Sequence, residues 1–218
     1  MGPSCQVRRA RNIEGERFSQ LSLSGSTVGI VGLGNIGQAV MARLKPFGVS
    51  KFVYCGRTKK DPKLEDGAEF VGFEDLLKVS DFVIVTCSYT PDLSKKFNKE
   101  AFKLMKKTSI FINTSRGGIV DQEALVEALS SKEIFAAGHY SFFTKLIKIS
   151  VNLVSGLDVM TPEPLPVDHA LTRLDNCVLV PHLGSATIQT RAVMAHMTVD
   201  NILAGLAGDP DKMPARLC

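Results

Sequence analysis

Short apolar runs recur along the chain from residue 27 onward, and each is followed by a turn residue and then a helix-like segment. The runs are rich in β-branched residues and nearly continuous, which is typical of strands buried on both faces. The predicted strands are residues 28–33, 52–55, 82–87, 110–113, 157–159 and 178–180. Alternation of such strands with helices predicts right-handed βαβ units and an α/β fold with a doubly wound parallel sheet.

Apolar residues recur at helical spacing between these strands. Ile36, Val40 and Leu44 are four residues apart, and a proline and a glycine then end the helix. Asp121 is the expected N-cap of a later helix, since its carboxylate can accept from the first free N–H groups. The remaining helices are predicted at residues 73–79, 99–107, 121–131 and about 187–206.

Composition excludes several classes of protein. Of the 218 residues, 44% are apolar and 22% are charged, which is ordinary for a globular chain and argues against disorder. No run approaches the roughly 18 apolar residues of a membrane helix, so no membrane partner is expected. The net charge of +4 is mild, and no basic stripe predicts a nucleic-acid partner.

The cysteines indicate the compartment. The chain has five, an odd number, at wide spacings and without a Cys-x-x-Cys pair. Reduced thiols in a cytoplasmic protein fit this pattern, and no metal site is expected. The Arg-rich start of the chain leaves a mitochondrial presequence open as an alternative.

The first motif with chemical meaning is the glycine-rich segment that contains Gly32, Gly34 and Gly37. It follows an apolar strand and opens a helix, the context in which G-x-G-x-x-G indicates a dinucleotide site. The first glycine permits a tight turn, the second lets a pyrophosphate approach the backbone, and the third lets helix and strand pack closely. A glycine-rich turn without a ligand is the alternative interpretation.

The residues after the second strand predict which dinucleotide binds. An NAD-binding chain usually places a carboxylate there for the ribose hydroxyls. Residues 56–60 instead read GRTKK, with no acid. Because a guanidinium pairs well with phosphate, Arg57 predicts NADP (as NADPH) as the cofactor, with NAD as the weaker alternative. The other interpretation is that Arg57 and its lysine neighbours form only a solvated loop.

Polar residues also follow the later strands, and a parallel sheet brings all carboxyl ends to one edge. An arginine, a carboxylate and a histidine at that edge suit the reduction of a 2-oxo acid. Arg116 can bind the substrate carboxylate, His182 can donate a proton, and Glu163 can keep the imidazole protonated. Each has a structural alternative: Arg116 as a cap of the sheet edge, Glu163 as a solvated loop residue, and His182 as a buried histidine.

The order of these motifs resembles the D-isomer-specific 2-hydroxyacid dehydrogenases. The stretches that carry the resemblance are 27–37 (TVGIVGLGNIG), 44–48 (LKPFG), 111–117 (FINTSRG), 157–166 (LDVMTPEPLP) and 176–187 (NCVLVPHLGSAT). The resemblance implies the roles already given to Arg116, Glu163 and His182. It also implies a cofactor lining of Asn35, Ile36, Arg57, Thr58, Ser88, Thr114, Asp158 and Gly184.

The chain departs from the family pattern in two places. Members carry a separate substrate domain before the glycine motif, and residues 1–20 do not resemble it, so we expect this domain to be missing. The family also reads Ala-Ala-Gly directly into Leu-Asp-Val, whereas here residues 139–156 intervene. We interpret them as an insertion, from an alternative transcript or a gene-model error, with a genuine surface loop as the alternative.

These expectations define a domain plan and a function. Residues 1–23 form an irregular lead-in, 24–206 a Rossmann-type dinucleotide-binding domain, and 207–218 a tail. The reaction that the resemblance implies is NADPH-dependent reduction of glyoxylate or hydroxypyruvate, a small 2-oxo acid substrate, and the resemblance leaves a homodimer open. The alternatives are a catalytically silent NAD(P)-binding module and a 2-hydroxyacid dehydrogenase acting on phosphoglycerate or lactate.

Overall fold

The computed structural model describes residues 22–131, 155–174 and 176–215. The chain forms two compact units, Met1–Val180 and Pro181–Cys218. The predicted lead-in up to residue 21 and most of the predicted insertion lie outside the described residues.

The first unit is built on a seven-stranded sheet whose strand pairs are all parallel. Its order is β3-β2-β1-β4-β5-β6-β7, so the chain winds outward in both directions from β1. This confirms the predicted doubly wound α/β fold. The strands are β1 (Thr27–Val31), β2 (Lys51–Cys55), β3 (Glu69–Phe70), β4 (Phe82–Val85), β5 (Ile110–Asn113), β6 (Ser155–Leu157) and β7 (Cys177–Leu179).

Helices of the first unit pack on both faces of the sheet. They are α1 (Asn35–Leu44), α2 (Pro62–Glu65), α3 (Phe73–Val79), α4 (Lys99–Leu104) and α5 (Gln122–Ser130). Met41 of α1 joins one apolar cluster with Ile30 and Tyr54 of the sheet. The helices α3, α4 and α5 contribute to a second cluster, which includes Phe102 and Phe111. Side chains alternate along each strand, so neighbouring residues supply opposite faces.

Capping residues begin several helices where the sequence predicts. The Asp121 carboxylate accepts from the backbone N–H groups of Glu123 and Ala124, which confirms it as the N-cap of α5. In the second unit, α6 (Ile188–Leu206) matches the predicted final helix. Its N-cap is Thr187, whose hydroxyl accepts from the N–H of Thr190 at 3.1 Å.

The sheet differs from the sequence prediction in several places. β1 and β4 each end two residues earlier than predicted. The edge strand β3 was not predicted, because two exposed residues carry no hydrophobic pattern. The strand predicted at 157–159 begins earlier, since β6 pairs Ser155 with Phe111 and Gly156 with Ile112 of β5. The last two residues of the predicted insertion therefore belong to the sheet.

Ser155 carries an unsatisfied polar group. Its side chain is fully buried, and its hydroxyl is the buried side-chain atom without a hydrogen bond in the part of the chain that the structure describes. A hydroxyl that is buried without a hydrogen-bond partner loses its hydration without compensation. This typically costs about 1–3 kcal/mol of folding free energy.

Replacement of this serine is expected to stabilise the fold. Ser155→Ala should raise the free energy of unfolding by about 1 kcal/mol, because it removes the orphaned hydroxyl and leaves only a small void. Urea unfolding followed by circular dichroism measures the change. The matched control is Ser109→Ala, which should destabilise, since that equally buried hydroxyl donates to the Lys106 carbonyl at 2.6 Å. Destabilisation by both variants would contradict the interpretation.

Candidate active site

The glycine turn after β1 has a conformation that side chains would block. Gly32 has φ +97°, in the region that favours glycine, and an added Cβ would lie 2.6 Å from Cys87. Its N–H donates to the Cys55 carbonyl at 2.9 Å, and its carbonyl accepts from the Thr86 hydroxyl at 2.7 Å. A Cβ on Gly37 would lie 2.5 Å from that same carbonyl. The start of α1 therefore packs directly on the end of β1.

Gly34 differs because the protein itself has room for a side chain there. An added Cβ would meet no atom within 4 Å, and the backbone angles of φ −89° and ψ −164° suit any residue. Gly34 is also the N-cap of α1, and no side chain caps the helix. The first N–H groups of α1 thus lack a side-chain cap, which fits a role in binding the pyrophosphate of a dinucleotide.

A cleft of about 730 Å³ lies at the carboxyl ends of the strands in the first unit. It brings together five residues predicted from the sequence: Ile36, Ser88, Thr114, Arg116 and Glu163. Two of the groups expected to act on a 2-oxo acid, Arg116 and Glu163, thus line the same cleft as Ile36, which is expected to contact the cofactor.

The loop that carries Arg116 is fixed by Asn113, the fully buried last residue of β5. The Asn113 amide donates to the Arg116 carbonyl at 3.0 Å, and its oxygen accepts from the Ser115 N–H at 3.0 Å. The exposed Arg116 guanidinium donates to the Ser115 carbonyl at 2.7 Å. It forms no ion pair with any carboxylate of the described residues, so its other donors can bind an anion.

The loop that carries Glu163 packs against the arginine loop. A Cβ on Gly117 would lie 2.1 Å from the Met160 backbone, so only glycine allows this contact. One carboxylate oxygen of Glu163 accepts from the Met160 N–H at 3.0 Å. The side chain of Gln122, on α5, pairs with both backbone groups of Thr161. The loop is therefore held from two sides.

Four further predicted residues of the first unit do not line the cleft. Asn35 is the exposed first residue of α1. Arg57 and Thr58 lie in the exposed loop after β2, and Arg57 forms no ion pair with another described residue. Asp158 follows β6, is partly exposed, and donates its N–H to the Asn113 carbonyl at 3.0 Å. This separation is expected of Arg57, since a 2′-phosphate lies far from the reacting end of the dinucleotide.

His182 and Gly184 belong to the second unit, where both are exposed. His182 has φ +53°, an uncommon conformation for a residue with a side chain. Such backbone outliers cluster at functional sites, because the surrounding structure must hold them in place.

Comparison with known proteins identifies the family of this chain. Residues 4–184 match the family model described as D-isomer specific 2-hydroxyacid dehydrogenase, NAD binding domain. The chain belongs to this family. It is similar to the "Glyoxylate reductase/hydroxypyruvate reductase" of Mus musculus (50% identical) and of Homo sapiens (47%), with 89% of this chain covered in each comparison.

A solved structure shows a similar fold. The TT0316 protein from Thermus thermophilus superposes with a TM-score of 0.76 at 39% identity, over 96% of this chain and 59% of that one. The two mammalian relatives are covered over only 54% of their length. The chain thus spans about half the length of the curated relatives it matches.

Sequence reasoning overlooked several residues around this family site. Tyr89 and Met160 line the cleft, and Asn113 and Gln122 hold its loops. Tyr89 directly follows the predicted Ser88, so its place just beyond a strand end was a usable signal. An amide that clamps a backbone segment distant in sequence, as Gln122 does, leaves no such signal.

The three cysteines among the described residues are free thiols and poor nucleophiles. Burial raises the pKa of Cys55 and of Cys177 to about 12, and burial also raises the pKa of Cys87. Cys87 packs beside Gly32. Among the described residues, no cluster of His, Cys, Asp or Glu is arranged to hold a metal ion, and no helix could cross a membrane.

Gly34 provides a test of the dinucleotide site. Gly34→Ala should weaken the binding of a nicotinamide dinucleotide at least about tenfold, because the new methyl group would occupy space that the pyrophosphate is expected to need. Unfolding stability should stay the same or rise slightly, since alanine adopts this backbone conformation without strain. Fluorescence titration and thermal melting measure the two quantities.

Gly37→Ala gives the contrast, because its methyl group would clash with the Gly32 carbonyl and lower the melting temperature. Wild-type affinity in Gly34→Ala would show that the cofactor does not approach this glycine.

Proposed function

We propose that this chain is the cofactor-binding part of an NADPH-dependent reductase that acts on a short 2-oxo acid, glyoxylate or hydroxypyruvate. The observation that carries the proposal is the shared cleft, where Arg116 and Glu163 lie beside Ile36 at the glycine turn. The names of the mammalian relatives supply the substrates.

The residues that would hold the cofactor are those of the turn and its neighbours. The N–H groups that begin α1 would bind the pyrophosphate, with Gly34 leaving room for it. Arg57 would pair with the 2′-phosphate, because its guanidinium is exposed and without an ionic partner among the described residues. When bound, the nicotinamide supplies a hydride to the substrate carbonyl.

The protein would orient the substrate and supply a proton. Arg116 would bind the substrate carboxylate with two parallel hydrogen bonds, which fixes the direction of the carbonyl. His182 would donate a proton to the carbonyl oxygen as negative charge develops there. The left-handed backbone of His182 supports a functional role for this histidine.

The proton donor gives the most direct test of turnover. The purified chain should oxidise NADPH when hydroxypyruvate is added, and His182→Ala should lower kcat by about 10²–10⁴-fold with the Kd for NADPH unchanged. The control is His196→Ala in α6, an exposed histidine outside the proposed site, which should leave kcat unchanged. Binding without turnover in the wild-type chain would favour a silent cofactor-binding module instead.

Arg57 gives the test of cofactor choice. The wild-type chain should bind NADPH more tightly than NADH, and Arg57→Ala should weaken NADPH binding about tenfold or more while the Kd for NADH changes little. Lys63→Ala is the matched control, since it removes a nearby exposed cation from the same segment. Equal affinity of the wild-type chain for both cofactors would refute the preference.

A further inference from the structure

Arg57 lies in the loop after β2, and its side chain forms no hydrogen bond or ion pair with another described residue that would hold it in place. Residues 56–59 are exposed, and within the described part of the chain neither Arg57 nor Lys59 forms an ion pair. A mobile guanidinium loses conformational freedom when it binds, and this loss weakens the affinity it provides. Whatever fixes the loop backbone therefore bears on the affinity for a 2′-phosphate.

Tyr54 fixes this loop at both ends. Its backbone lies in β2, and its side chain is fully buried against the ring of Phe70, with ring centroids 5.2 Å apart. Its hydroxyl oxygen accepts a hydrogen bond from the Lys60 N–H at 2.8 Å. The chain leaves β2 after Cys55, and at Lys60 it is bonded to the Tyr54 hydroxyl. Residues 56–59 therefore form a short loop whose two ends are both held by Tyr54.

The same hydroxyl is itself held by an acid. It donates to a carboxylate oxygen of Glu65 at 2.5 Å, and Glu65 is only 9% exposed. Burial raises the pKa of the Tyr54 phenol, and the hydrogen bond to Glu65 raises it further, so the group remains a donor near neutral pH. Glu65 ends α2, so one phenol connects the strand, the arginine loop and the following helix.

Other contacts of the segment are weaker. Lys45 pairs with the Asp66 carboxylate at 2.6 Å, but both side chains are well exposed, and such pairs contribute little in water. Asp61 accepts from the Lys63 N–H and thereby begins α2, beyond the arginine loop. Buried hydrogen bonds of Tyr54 are therefore the principal restraint on residues 56–59.

We propose that Tyr54 is a positioning residue for cofactor specificity, which holds the loop so that Arg57 meets the 2′-phosphate of NADPH. The inference rests on the proposed function, in which Arg57 binds this phosphate. Tyr54 itself touches no cofactor in this scheme. Its effect is selective, because NADH has no 2′-phosphate for Arg57 to bind.

The experiment compares Kd values for NADPH and NADH in the full chain by nicotinamide fluorescence. Tyr54→Phe keeps the buried ring and removes both hydrogen bonds, and it should raise the Kd for NADPH about five- to twentyfold. The Kd for NADH should change less than twofold. Glu65→Gln retains an acceptor for the phenol and should keep the wild-type ratio of the two affinities.

A matched control separates positioning from general stability. Ser80→Ala also removes a buried hydrogen bond, from the Ser80 hydroxyl to the Leu76 carbonyl at 2.6 Å, at the opposite end of the strands. It should leave both Kd values unchanged. If Tyr54→Phe does not fold, Glu65→Met tests the same restraint from its other partner, with a smaller selective loss of NADPH affinity expected.

The outcomes distinguish this inference from the proposed function. An equal rise of both Kd values in Tyr54→Phe, or no rise, would refute the positioning role. If Arg57→Ala lowers NADPH affinity while Tyr54→Phe and Glu65→Met do not, the inference alone fails. If Arg57→Ala has no effect on NADPH binding, the proposed phosphate contact fails, and the role of Tyr54 fails with it.

Discussion

The contact between Gly37 and the Gly32 carbonyl sets the geometry of the whole edge. A Cβ at either glycine would collide with its neighbours, so the first turn of α1 rests directly on the end of β1. β1 is the central point from which the chain winds in both directions. Because every described strand pair is parallel, the loops after β1, β4, β5 and β6 open at the same edge as this turn. The cleft follows from that arrangement.

Neutral groups hold the loops at this edge, and the charged groups stay exposed. Asn113 fixes the loop of Arg116, Gln122 fixes the loop of Glu163, and Tyr54 fixes the loop of Arg57. In each case a buried or half-buried amide or phenol bonds to backbone atoms. An ion pair in the same place would neutralise the charge that a ligand is expected to meet. Neutral side chains therefore order the loops of Arg57 and Arg116 and leave these two cations able to bind an anion.

The difference between the charged residues of the site and the neutral residues that hold their loops explains which of them the sequence can predict. Arg116 and Glu163 were predicted because strand ends of a parallel sheet converge, and the pattern of apolar runs locates those ends. Asn113 lies inside a predicted strand, and Gln122 lies one residue after a predicted N-cap, so each already had a structural explanation. Their partners are set by tertiary packing: Gln122 and Thr161 are 39 positions apart in the sequence. Hydrophobic periodicity carries no information on such pairs.

The place of Ser155 in the sheet, at the boundary of the predicted insertion, was likewise not predicted from the sequence. The family pattern reads Ala-Ala-Gly into Leu-Asp-Val, and residues 155–157 here read Ser-Gly-Leu. The pairing with β5 gives Ser155 and Gly156 the sheet positions next to Leu157. In the family pattern these positions hold alanine and glycine. Two residues of the expected insertion 139–156 thus occupy sheet positions, and the serine lies where no acceptor reaches its hydroxyl. An orphaned buried hydroxyl is the expected result of that exchange, because an alanine site provides volume but no acceptor.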